Sequence, residues 1–202
     1  MFNAMNTDFF NTSNGQNIEL YREDIIERLE SLDMELCLKY DNSLRASVII
    51  VGGSALILMN MLTRYSYDID TLACSEEIHE FMDKYNMNSD VVAYLDCFPE
   101  DYKSRLKRIP TSCIILQVFT PSLEDIVISK LASPRSKDDL DIHSPAILNS
   151  VDLNLLEELV NNGTVQEGFL SDRARRNFEI DYSKYLEDVR RYRNCLLYTS
   201  DA

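Results

Sequence analysis

Val51-Gly52-Gly53-Ser54-Ala55 and, one short apolar stretch later, Asp68-Ile69-Asp70 join a tight glycine turn to a pair of carboxylates. The residues before the turn, Ala46-Ser47-Val48-Ile49-Ile50-Val51, are largely apolar and β-branched and predict a buried strand. Gly52-Gly53 ends it, and an apolar helix is predicted over Ser54–Leu62. Strand, turn and helix in this order aim backbone N–H groups and a hydroxyl at an anion, helped by the positive helix start. A second strand is predicted over Tyr67–Ala73, with Asp68, Asp70 and Leu72 on one face and Tyr67, Ile69 and Thr71 on the other. Two carboxylates at i and i+2 of a strand lie about 7 Å apart at their Cα atoms and repel, a conflict that a divalent cation resolves. Each fragment alone also fits a plainer structure: a tight strand–helix connection, or two solvated aspartates on an edge. The terminal Gly-Lys-Ser/Thr of a Walker loop and the GxGxxG dinucleotide fingerprint are both absent.

Outward from this centre the pattern is α/β. An amphipathic helix is predicted over Ile18–Tyr40 and a helix over 76–86 with Ser75 as its cap. A shorter helix follows at 90–97, then a third strand over 112–119. Ser122 with Asp125 forms a capping-box-like start to a helix that Pro134 stops. Further helices are expected at 138–143, at 152–161 with Gly163 as stop, and at 171–193 with an inner stripe of Phe178, Tyr182, Tyr185 and Val189. Residues 1–17 are a polar lead-in, 18–150 one domain and 151–195 a helical extension. The tail 196–202 leaves the preceding charged pattern and is set aside as non-native. The fold class is therefore α/β (α+β): a small mixed sheet flanked by helices, with a helical C-terminal part.

The net charge is −14, with 6 basic against 18 acidic residues in 1–100 and 14 against 16 in 101–202. Such acidity opposes broad binding to nucleic acid. Two basic clusters remain, Lys103/Arg105/Lys107/Arg108 and the arginines of 173–193, either as solvated faces or as a local docking surface. Five scattered cysteines without a CxxC pair read as free thiols. Two histidines leave oxygen ligands, hence magnesium or manganese, as the metal chemistry. No signal peptide is visible, and the charge-free run 46–63 reads as strand, turn and helix rather than a membrane span. A cytoplasmic location without membrane partners is expected. His79 reads as a surface residue, and Tyr65 and Tyr67 as core packing or, alternatively, a base-stacking pair.

Gly53-Ser54 followed by Asp68-Ile69-Asp70 resembles the polymerase beta-like nucleotidyltransferase superfamily. The resemblance narrows to the AbiEii-like toxin branch and its DUF6036 relatives through two later segments. These are Ser122-Leu123-Glu124-Asp125-Ile126-Val127-Ile128-Ser129-Lys130-Leu131 and Arg135-Ser136-Lys137-Asp138-Asp139-Leu140-Asp141-Ile142. The likeness covers roughly residues 46–143. It implies transfer of a nucleoside monophosphate from an NTP to an acceptor, with Mg2+ or Mn2+ as cofactor. By position, Gly52, Gly53 and Ser54 would hold the triphosphate. Arg64, between the two motifs, reads either as a phosphate contact or as a surface-loop residue. Asp68 and Asp70 would hold the metal, with Asp138 or Asp141 completing the site and Lys130 meeting the nucleotide. Asp68, Asp70, Lys130 and Asp141 are thus the catalytic candidates. In that branch the acceptor can be RNA and the partner an antitoxin protein. The third strand departs from the pattern, offering Gln117 where a third carboxylate would stand. That departure keeps open an alternative, a catalytically weak nucleotide- or partner-binding module.

Overall fold

The computed structural model describes residues 19–40, 43–89, 98–162 and 172–200. The lead-in 1–17, the helix expected at 90–97 and the Gly163 stop lie outside the described residues.

The chain builds a five-stranded mixed sheet in the order β3-β2-β1-β5-β4. The strands are β1 (Ala46–Ile50), β2 (Ile69–Cys74), β3 (Met87–Asn88), β4 (Lys107–Arg108) and β5 (Leu116–Thr120). The central pair β1–β5 is parallel, β1–β2 antiparallel, β2–β3 parallel and β4–β5 antiparallel. β1 therefore lies inside the sheet, as its unbroken apolar run requires. The register of β1 against β2 shifts between Ile49 and Ile50, an irregularity of the kind that re-aims side chains near sites.

The helices are α1 (Arg22–Lys39), α2 (Gly52–Leu58), α3 (Leu123–Leu131), α4 (Ser136–Ile142), α5 (Pro145–Ser150), α6 (Leu153–Asn161) and α7 (Asp172–Ser200). One sheet face packs Val48, Ile50, Ile69, Leu116 and Val118 into the main core with α1, α2, α3 and the C-terminal helices. The other face carries a smaller cluster of Ile49, Val51, Leu72, Phe98 and Tyr102.

Several expectations shift. α2 begins at Gly52 rather than Ser54, because the glycines themselves form its first turn. The predicted helix at 76–86 is two 3-10 segments, Glu76–Phe81 and Asp83–Tyr85. Ser75 precedes the first, but its hydroxyl accepts from the Ser47 N–H at 2.9 Å, so it ties this segment to β1 instead of capping. The Ser122–Asp125 capping box forms: Ser122 Oγ accepts from the Asp125 N–H at 3.1 Å, and Asp125 accepts from the Ser122 N–H at 3.2 Å. α5 was not foreseen. α7 continues through Ser200, so residues 196–200 prolong the helix from which the tail was set apart. Among the described residues no helix is long and apolar enough to cross a membrane.

A long-range anchor fixes the sheet to α1. The buried Asp33 carboxylate accepts backbone N–H bonds from Ile114 at 2.7 Å, Ile115 at 2.9 Å and Leu116 at 2.7 Å. These donors lead into the first residue of β5, and a buried donor left unpaired costs about 1–3 kcal/mol.

Candidate functional site

The glycine turn and β2 lock together through the backbone. The Val51 N–H donates to the Asp70 carbonyl at 2.9 Å. Ser54 Oγ donates to the Val51 carbonyl at 2.9 Å and accepts from the Asp70 N–H at 3.2 Å. Ser54 is fully buried. In this structure its hydroxyl stitches the turn to β2 rather than pointing outward to a phosphate.

The turn requires glycine at position 52 and is tight at position 53. Gly52 has φ +63, and a Cβ there would lie 2.5 Å from Asp70 Oδ2. A side chain would be strained by the backbone and would collide with the carboxylate. A Cβ on Gly53 would meet Arg64 Nη2 at 3.0 Å. The Gly52 backbone and the Asp70 carboxylate thus share one small space.

β2 starts at Ile69 rather than Tyr67, so Asp70 lies in the strand and Asp68 in the bend just before it, both half-buried. Asn88 Nδ2 on β3 donates to Asp68 Oδ2 at 2.7 Å. The Asp70 carboxyl is pushed up to about 6, first by burial and then by the Asp68 charge, against the pull of Asn88, Arg135 and Lys130. The pair therefore carries negative charge that the protein does not fully offset. Among the described residues no cluster of three or more His, Cys, Asp or Glu side chains could hold a metal. β5 offers Gln117 and Phe119 as its partly buried positions, and no acid.

The second group of foreseen residues also comes together, but as a closed network. Lys130 Nζ, buried on α3, donates to Asp138 Oδ1 at 2.5 Å and to Asp141 Oδ2 at 2.9 Å. Arg64 grips Asp141 with two bonds, Nε to Oδ1 at 2.8 Å and Nη2 to Oδ2 at 2.6 Å. Asp138 Oδ2 also accepts from Ser133 Oγ at 2.6 Å and Arg135 Nε at 2.7 Å. Burial pushes the Asp138 carboxyl up, but Lys130, Ser133 and Arg135 outweigh it and hold it below the usual carboxylate range. Burial likewise raises Asp141, and Arg64 and Lys130 overcome it. Arg64, expected at a phosphate, thus faces Asp141. Asp138, expected to ligate metal, is bonded to two cations and a hydroxyl.

A small pocket of about 40 Å³ joins the two groups, lined among others by Val51, Gly52, Phe98, Ser129, Lys130 and Arg135. Phe98, Ser129 and Asn88 are residues that sequence reasoning missed. Asn88 sits on a two-residue edge strand and Phe98 beside a proline, and neither position carries a periodic signal. Ser129 was in view only as part of the Lys130 segment.

The expected basic surfaces are partly spent within the chain. Arg105 holds Asp125 with two bonds, at 3.1 and 2.7 Å, and Asp101 with a third at 2.6 Å. Arg190 pairs with Glu157 and Arg191 with Asp188. Arg193 donates to the carbonyls of Leu148 at 2.9 Å and Val151 at 2.5 Å, closing the end of α5. Lys103, Lys107 and Arg108 are exposed. Tyr65 and Tyr67 are not core residues: they form an edge-to-face surface cluster with Tyr21, with ring centroids 5.2 and 5.9 Å apart. His79 is exposed, as its polar surroundings suggested.

A family described as "Nucleotidyltransferase of unknown function (DUF6036)" matches residues 27–190, and the chain belongs to it. No curated protein and no solved structure matches the chain.

Proposed function

We propose that the chain is a divalent-metal-dependent nucleotidyltransferase that moves a nucleoside monophosphate from an NTP to an acceptor hydroxyl. The observation that carries this reading is the Asp70 carboxylate lying against the Gly52 backbone, with Asp68 beside it and its charge left unneutralised. A carboxylate pair of this kind fits Mg2+ or Mn2+, which commonly takes one or two carboxylates and fills its shell with water and substrate phosphates. When bound between Asp68 and Asp70, such an ion would neutralise charge developing on the transferring phosphates.

The chain's own groups divide the remaining work. The N–H groups of the Gly52-Gly53 turn would meet the substrate phosphates at a helix start. Lys130 and Arg135 lie close enough to draw on the Asp70 carboxyl, so a phosphate beside Asp70 also feels their positive field. The acceptor oxygen bonds to the α-phosphorus, and the bond from that phosphorus to the α–β bridging oxygen breaks. Pyrophosphate leaves with the electron pair, and the hydroxyl proton passes to the carboxylate pair or to water. Lys130, Asp138, Asp141 and Arg64 hold α3, α4 and the loop before β2 in register, a positioning role.

The RNA acceptor and antitoxin partner implied by the AbiEii resemblance have narrower support. Of the basic clusters, Arg105, Arg190, Arg191 and Arg193 are engaged inside the chain. Lys103, Lys107, Arg108 and Arg176 are exposed and remain as RNA-facing candidates.

The test is incubation with Mg2+ and NTPs labelled at the α-phosphate, offering total RNA and small hydroxyl acceptors separately. Metal-dependent label transfer that disappears in Asp70→Ala is expected. Nucleotide binding without transfer to any acceptor would instead establish a binding module.

A further inference from the structure

Arg135 stands apart from the other charged groups at the pocket beside Gly52. That pocket, of about 40 Å³, is bordered among others by Val51, Gly52, Phe98, Lys130, Arg135 and Asp138. The Lys130 and Asp138 side chains are 5% and 3% exposed, whereas Arg135 is 65% exposed. The network behind the pocket is balanced without it. Lys130 and Arg64 already supply a cation for each of the Asp138 and Asp141 carboxylates, so Arg135 is a surplus charge. Asp138 holds Arg135 through Oδ2, which keeps Ser133 Oγ when Arg135 leaves, while Oδ1 keeps Lys130. An ion pair with so exposed a partner is readily given up. Ligand pockets start at about 300 Å³, so a nucleotide entering here displaces part of the lining, and the exposed side chain yields most easily. The Arg135 charge also acts on the Asp70 carboxylate, ahead of that of Lys130, which puts the guanidinium within electrostatic reach of the carboxylate pair. A guanidinium presents a planar fork of N–H donors that fits a phosphate.

We propose that Arg135 is the residue that takes the donor's triphosphate, exchanging the Asp138 carboxylate for phosphate oxygens when an NTP enters with its metal. Lys130, held between Asp138 and Asp141, stays in the scaffold. The proposal rests on the transferase reading above. It moves to Arg135 a contact expected of Arg64 and Lys130. The exchange breaks no covalent bond and leaves neither buried carboxylate without a cation.

The experiment is calorimetric titration of the α,β-methylene analogues of ATP, GTP, CTP and UTP, with Mg2+, into the full chain. Wild type, Arg135→Gln and Arg135→Lys are compared, with thermal unfolding of each protein alone. Arg135→Gln is expected to weaken the best-binding analogue by about tenfold, equivalent to about 1.4 kcal/mol. Arg135→Lys keeps the charge and loses the fork, and is expected to weaken it by about threefold. The unliganded unfolding midpoint is expected to stay unchanged in both, since Asp138 keeps Lys130 and Ser133. Affinity in Arg135→Gln within about twofold of wild type would overturn the proposal and leave the transferase reading standing. An unliganded midpoint that falls together with the affinity would also overturn it, because Arg135 would then belong to the scaffold. Absence of analogue binding in the wild type would instead sink the transferase reading, and the proposal with it.

Discussion

Two groups of aspartates, brought together by neighbouring elements, receive opposite treatment in this molecule. Asp138 and Asp141 are buried, yet each is met by cations, and their carboxyls are held below the usual range. Asp68 and Asp70 are more exposed; Asn88 bonds Asp68, and burial and the Asp68 charge raise Asp70 to about 6 against the pull of Asn88, Arg135 and Lys130. The first pair is compensated inside the protein and contributes to the scaffold. In the proposed reading the second is where a bound cation would supply the compensation. Carboxylates in a motif thus acquire different roles from their partners, not from their spacing.

The comparison can be broken most severely at Lys130. Replacing it with Met removes a cation from two buried carboxylates and is expected to cost about 3–5 kcal/mol in urea unfolding. A loss under about 1 kcal/mol would mean the network is not the scaffold described. Next, Gly52→Ala forces a Cβ into the Asp70 carboxylate and onto a left-handed backbone. A destabilisation of about 2–4 kcal/mol, with loss of metal-dependent nucleotide binding, is expected. Arg105→Met leaves the buried Asp125 with its Ser122 bonds alone and should cost about 1.5–3 kcal/mol, read in the same assay.

The smallest effect has the opposite sign. The Asp70 carboxyl has a folded value of about 6 against 3.8 for the ordinary group, so the folded state holds that proton more tightly. Its contribution favours folding at pH below the ordinary value and is lost as pH rises through about 6. Asp70→Asn removes the charge and is expected to stabilise the metal-free protein at pH 7.5 by about 1–2 kcal/mol. Asp138 and Asp141 run the other way: their stabilisation is present above the ordinary carboxylate value and disappears as pH falls through their lowered values.

Much of this fold is legible in local pattern. The β-branched run 46–50, the glycine turn and the alternation through Asp70 and Leu72 each state a face and a period, and the structure keeps them. The Ser122–Asp125 cap is equally local. What escapes is partnership across long separations. Asp33 bonds to N–H groups some 80 positions away, and nothing in α1 marks it among its acidic neighbours. Arg64 lies beside the glycine turn in sequence and space, yet its guanidinium reaches Asp141. Arg193 reads as part of a charged cluster but closes α5. A charge in a sequence announces that it needs a partner or water, and only the fold says which. The residues that the fold gathers around the glycine turn were therefore legible as a set, whereas which carboxylates the chain's own cations hold was not.

The most direct measurement is thermal unfolding of wild type and Asp70→Asn, each with and without Mg2+ and NTP. The wild type should gain stability with metal and nucleotide together. Asp70→Asn should start higher without ligand and fail to respond. An Asp70→Asn protein that starts no higher and gains as much from Mg2+ and NTP as the wild type would contradict the assignment of the Asp68/Asp70 pair as the cation-binding centre.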